Sequence, residues 1–202
     1  MDLFVTKYCR ISSKGINTHN GLVNLPSADA VYDPQALYAH LHLSYPKFFK
    51  MDTLCKYGIL AGEWLFEENP LSYASAEIGI ILSGQHGSMD TDEQFQQTLQ
   101  PDNFFPSPAL FVYTLPNIVM GELCIRYKIK GENLFTLSSV PDYDLLCQYT
   151  TALFLQKRIN ASLVGWVDYY QKQPDILLVW VETTSDANAL PFNYNTLTSL
   201  YI

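Results

Sequence analysis

Positive charge is scarce in this sequence and nowhere clustered. The chain holds 12 Lys and Arg against 20 Asp and Glu, for a net charge of −8, and only 16% of its residues are charged. Without a basic cluster it offers no footprint for nucleic acid or for an anionic membrane surface, so neither is expected as a partner. No apolar run reaches membrane-spanning length, and MDLFVTKYCR lacks the basic-then-apolar order of a signal peptide, so a cytoplasmic chain is expected. The four cysteines, Cys9, Cys55, Cys124 and Cys147, lie in separate apolar segments without paired spacing. They read as reduced core thiols rather than disulfides or zinc ligands. His40 and His42, and His86 with Asp90 and Asp92, lack diagnostic ligand spacing, so no metal is expected. Gly84 and Gly87 stand apart with no lysine near them, which excludes a phosphate loop and leaves no cofactor expected.

Aromatic residues, by contrast, are abundant: 14 Tyr and 11 Phe. With so few charges, that composition fits a buried protein–protein face and fits a large core equally well. The 202 residues are enough for a substantial core and are read as one domain, 1–202.

Five strands are expected: residues 2–12, Ile78–Leu82, Leu134–Leu137, Ala161–Val167 and Ile176–Glu182. Ile78–Leu82 is a continuous apolar run between turn residues, the pattern of a strand buried on both faces. Ser13–Pro34 reads as loop and the tail from Thr183 as weakly specified. Helices are expected from Pro34, from Asp52, over Thr91–Leu99, from Asn117 and after Ser139. In the second of these, Met51, Leu54, Cys55, Gly58, Ile59, Gly62, Leu65 and Phe66 mark one buried face. Gly58 and Gly62 would let that helix approach a neighbour closely. Asn117 is read as a cap, Gly121 as a close-packing position, and Gly131 as the left-handed residue ending that helix. Ser139-Val140-Pro141-Asp142 fits a capping box with Ser139 as cap, and Leu145, Tyr149, Ala152, Leu153 and Ile159 give the following stripe. Strands alternating with helices predict a three-layer α/β arrangement.

The order of elements over residues 107–167, together with the glycine-rich end of the Ile78 strand and the Met51-Asp52 helix, resembles the β-ketoacyl synthases. These are thiolase-fold condensing enzymes of fatty-acid and polyketide synthesis. The resemblance implies a single thiolase-like βαβαβαββ half, with a mixed five-stranded sheet between helices, matching the N-terminal half of a family member about twice as long. In the family a cysteine between strand and helix carries the acyl chain. Counting nine residues on from Gly131 of the Gly131-Glu132-Asn133 turn gives Val140, and counting 25 back from Gly165 gives Val140 again. Trp166 stands where the family has a second glycine.

A valine cannot be acylated. The family's cysteine is activated by a helix N-terminus, which favours a thiolate; here Asp142 and Asp144 fill that positive end instead. Cys147 lies seven residues further along, about two helical turns away. Ser138 and Ser139 are close in sequence, but a serine needs a base and the four histidines all lie far upstream. The resemblance therefore implies a catalytically inactive ketosynthase-like partner or scaffold in fatty-acid-like or polyketide biosynthesis of the aryl-polyene or flexirubin type. Family members pair through the sheet of the first half, so a homodimer, or a heterodimer with a full-length ketosynthase, is expected. Contact with an acidic acyl carrier protein would be indirect, through that partner. The surface left by an absent second half would itself need covering. Two alternatives stand beside this one: an acyltransferase or thioesterase-like enzyme using Ser139 or Cys147, and an acyl-chain binding module lined by residues such as Phe105, Phe111 and Tyr113.

Overall fold

The computed structural model describes residues 1–66, 72–100, 102–184 and 188–202. Its strands are β1 (Phe4–Ser12), β2 (Gly15–Thr18), β3 (Gly21–Leu22), β4 (Ile78–Gly84), β5 (Leu99–Gln100), β6 (Asn103–Phe104), β7 (Asn133–Leu137), β8 (Ala161–Tyr170), β9 (Gln173–Glu182) and β10 (Leu190–Pro191). Its helices are α1 (Pro34–His40), α2 (Thr53–Phe66), α3 (Met89–Gln96), α4 (Pro108–Phe111), α5 (Ile118–Tyr127), α6 (Tyr143–Leu155) and α7 (Tyr194–Tyr201).

All five expected strands are present, and they form the backbone of one mixed sheet ordered β1-β9-β8-β4-β7. β4 runs parallel to both β7 and β8, while β9 runs antiparallel to β8 and β1. The sheet nevertheless has eight strands among the described residues rather than five. β2 and β3 continue it beyond β1, and β10 pairs with Phe4 and Val5. The stretch expected to be loop forms β2 and β3 because Gly15 and Gly21 adopt φ of +121° and +105°, which permits tight reversals closed to other residues. The tail also has structure: Asn193 caps α7, its Oδ1 accepting from Thr196 N at 2.9 Å, and Leu197 is buried.

Helices cover both faces of the sheet. On one, α2 and α5 pack over Ile80, Leu82, Leu163 and Leu178; on the other, α6 and α7 pack over Ile81, Val164, Leu177 and Val179. The expected close approach of α2 is found. A Cβ on Gly58 would sit 2.5 Å from Val119 of α5, and one on Gly62 would sit 2.6 Å from the Tyr127 hydroxyl. Gly121, expected to be a close-packing position, has nothing within 4 Å of its Cβ position. The small residues that matter are on α2.

Buried charge locks these two helices together. Glu63 of α2 accepts from Arg126 Nε at 2.7 Å and Nη2 at 3.0 Å, and from Tyr127 at 2.8 Å. Glu122 of α5 accepts from Lys47 at 2.5 Å. The helix end also differs from expectation. Lys128, at φ +57°, is the left-handed cap of α5. Gly131 instead brings the chain onto β4, donating to Ile78 O at 3.1 Å where any side chain would collide with that carbonyl.

The stripe expected on α6 is found only in part: Leu153, and Ile159 beyond the helix, are buried as expected, and the rest is rotated. Its buried face is Tyr143, Leu146, Thr150, Leu153 and Phe154, whereas Leu145 is exposed. The helix begins at Tyr143, and the i, i+3, i+7 series from there selects a different apolar row.

Candidate functional site at the strand ends

The C-terminal ends of β4, β7 and β8 meet at one edge of the sheet, where open α/β sheets place their ligands. The backbone N–H of Ser138, just past β7, donates to Gly84 O at the end of β4 at 3.0 Å. At Gly87, whose φ is +57°, a Cβ would meet Pro116 at 2.9 Å and Leu137 at 3.4 Å. Residues 85–88, 116 and 137–142 thus form one surface. Val140 stands on it, 66% exposed.

Asp142, not Ser139, caps α6: its Oδ1 accepts from Leu145 N at 2.9 Å. Both residues suit a cap, but Pro141 sits immediately before Asp142 and the helix starts only at Tyr143. Ser139 is left exposed in the preceding bend, and Ser138 Oγ donates to Val140 O at 2.7 Å. Asp144 follows in the first turn, so two carboxylates occupy the positive end of the helix macrodipole. Cys147 lies one turn beyond Asp144 and is half-buried. Burial, and secondarily the Asp144 carboxylate, push its thiol up to about 12, so it is protonated at neutral pH and a poor nucleophile.

One histidine is brought to this edge. His86 donates from Nδ1 to Asp168 Oδ2 at 2.6 Å, while Asp168 Oδ1 accepts from the backbone N–H groups of His86 at 2.7 Å and Gln85 at 3.0 Å. The imidazole stacks on Tyr170 with centroids 4.5 Å apart, and the Tyr170 hydroxyl donates to Glu93 at 2.7 Å. Asp168 is buried, and the His86 ring is part-exposed with no partner for Nε2 among the described residues. An imidazole oriented by a buried carboxylate is the geometry of a general base. The pair is faint in the sequence, because Asp168 lies one residue beyond the strand expected to end at Val167. A lone Asp continuing that buried strand was the available signal.

The remaining expected site residues serve the frame. A side chain at Gly165 would collide with the Leu177 carbonyl across the β8–β9 ladder. Trp166 is buried with its Nε1 donating to Asp175 at 3.0 Å; Tyr201 and Arg10 reach the same carboxylate at 2.6 and 2.7 Å. Asn117 takes the cap position of α5 without a side-chain cap bond. It lines, with Pro116, Met120, Asn133, Leu134, Phe135 and Leu137, an open groove of about 490 Å³ beside β7. Phe105, Phe111 and Tyr113 do not converge on a tunnel: the two phenylalanines are exposed, and Tyr113 is buried with its hydroxyl on Glu122. No three His, Cys, Asp or Glu side chains converge as metal ligands among the described residues, and among them no helix is long and apolar enough to cross a membrane.

No family model and no curated protein matches the sequence. Solved structures do. The ishigamide ketosynthase/chain length factor superposes with a TM-score of 0.66 at 17% identity, covering 95% of this chain and 64% of that one. A type II polyketide synthase acyl-carrier protein in complex with its ketosynthase bound to the hexaketide gives 0.66 at 14% identity, covering 90% of this chain and 62% of that one. A ketosynthase in complex with its chain length factor from Xenorhabdus doucetiae gives 0.58 at 13%, covering 92% and 80%. The chain therefore has the thiolase-like fold of the ketosynthases, and it spans less than two thirds of the length of the first two chains.

Proposed function

We propose that this chain is a catalytically silent, ketosynthase-like partner of an active ketosynthase in an acyl-chain-building pathway of the fatty-acid or polyketide kind, aryl-polyene or flexirubin-type synthesis being the closest expectation. The observation that carries the reading is Val140, a hydrocarbon side chain at the strand-to-helix threshold, followed by a helix whose positive end is already met by Asp142 and Asp144. A scaffold needs the fold and a docking edge but no nucleophile. In support, the sheet ends at β7, whose outer edge has no paired strand among the described residues, and exposed Leu137 and Val140 lie beside it. An open edge of this kind is a template for strand pairing with another chain. With a net charge of −8, the chain would repel an acidic carrier protein, so carrier contact is assigned to the partner's surface. The reading places the chain in the cytoplasm as one domain, in keeping with its four free cysteines.

The experiment is co-expression with a full-length ketosynthase from the same organism, followed by co-purification. Capture that is lost in Leu137→Lys supports pairing through β7. A chain that captures no synthase contradicts the reading.

A second reading, acyl transfer or thioester hydrolysis, is favoured by one observation: the His86–Asp168 pair on the same edge as Ser138 and Ser139. An acyl adduct on either serine, abolished by His86→Gln, would establish it.

A further inference from the structure

The helical layer over the Ile81 face of the sheet is almost without charge. α6 (YDLLCQYTTALFL) and α7 (YNTLTSLY) together carry one carboxylate, Asp144, and no base. The solvent-facing α3 (MDTDEQFQ), though shorter than α6, carries Asp90, Asp92 and Glu93. Depletion of charge is the compositional mark of the centre of an interface rather than of open surface.

α6 is also apolar on two opposite sides. Its inner side is packed on the sheet. Its outer side presents Leu145 and Leu155, 39% and 63% exposed, with Gln148 and the small Ala152 between them. Leucines on the outer side of a helix already packed on its inner side offer a contact surface for a second layer.

The charges flanking α6 select what covers it. Acids stand at its N-terminal end, Asp142 and Asp144; Lys157 stands just past its C-terminal end, next to Arg158, which is already paired with Glu132. A second α6 laid antiparallel, crossing at the level of residues 150–151, sets Leu145 of one copy near Leu155 of the other and Asp144 near Lys157. The 13-residue helix is about 20 Å long, so both charged ends meet their complements at once. This is the self-complementary relation a two-fold axis requires, in which each contact occurs twice.

We infer that the outer face of α6 and α7 is a two-fold interface between two copies of this chain. The inference deepens the partner reading above but rests on different side chains, the outward residues of α6 rather than the open strand edge of β7, so separate substitutions test the two. Leu137→Lys should abolish ketosynthase capture and leave self-association intact, and Leu155→Glu should do the reverse.

Sedimentation velocity of the purified chain across a concentration series tests it, with thermal melts confirming that each variant folds. A reversible dimer is expected. Leu155→Glu, at an exposed position, should raise its dissociation constant by more than about tenfold, because a charge is then desolvated without a partner. Asp144→Lys should weaken the dimer, and Asp144→Lys combined with Lys157→Asp should restore it. A monomer at every concentration, a dimer indifferent to Leu155→Glu, a double reversal that fails to restore, or a dimer lost through Leu137→Lys instead would each overturn the inference.

Discussion

His86 and Asp168, 82 positions apart, are joined by an Nδ1–Oδ2 contact of 2.6 Å that ties the loop after β4 to the end of β8. The carboxylate also holds two backbone N–H groups of that loop. Removing it strands three donors, two of them fixed in the main chain. Asp168→Ala should therefore cost about 2–3 kcal/mol, the range for hydrogen bonds to a buried charge. His86→Ala, which leaves the main-chain bonds in place, should cost about 1 kcal/mol. Urea unfolding measures both. Equal losses would mean that the imidazole, not the loop backbone, is what Asp168 secures.

A second buried carboxylate makes a sharper case. Glu63 meets a bidentate Arg126 and the Tyr127 hydroxyl in the α2–α5 contact. Glu63→Ala leaves a guanidinium partly buried without its partner and should cost about 3–5 kcal/mol. Adding Arg126→Leu to that variant should recover part of the loss, because the stranded charge is gone. A double variant less stable than the single one would contradict this account of the pair.

Alkaline pH should destabilise the fold. Burial raises the Cys147 thiol from an unfolded value of 9.0 to about 12 and the Cys124 thiol to about 11. Between those values the unfolded chain has released protons that the folded chain retains, so the unfolded state binds fewer protons and stability falls as pH rises. The contribution is fully present below pH 9.0 and is lost on approach to about 12. Unfolding free energy measured from pH 8 upward should fall, with a shallower slope in Cys147→Ala. An unchanged slope would show that Cys147 is not held protonated by burial.

The threshold itself can be probed by introducing a thiol. In Val140→Cys the new thiol sits before a helix end already occupied by Asp142 and Asp144. Its alkylation by iodoacetamide should follow an ordinary thiol pKa of about 8.5 or higher. A profile with its midpoint near neutrality would show that the helix end activates a thiolate there.

What was legible in the sequence follows from what local pattern encodes. Ile78–Gly84 and the later long strands announce themselves as apolar runs, and the Gly58/Gly62 spacing identifies a helix that must approach another. β2 and β3 were hidden because only the backbone angles of Gly15 and Gly21 turn a polar loop into paired strands. α7 was hidden because YNTLTSLY is neither strongly periodic nor rich in helix formers. Around Val140, Ser139 and Asp142 were equally good caps by type, and the choice fell to where Pro141 lets the helix begin. The rotated stripe of α6 has a similar origin, since a helix apolar on two sides gives periodicity no means of choosing. His86 and Asp168 could be joined only by topology.

The central claim is that the threshold after β7 carries no acyl-accepting group. Intact-protein mass spectrometry of the complex with an active ketosynthase, after incubation with an acyl thioester, tests it most directly. The account predicts one acyl increment on the synthase and none on this chain. An increment on this chain, mapped by peptide digestion to Ser138, Ser139 or Cys147, would contradict it.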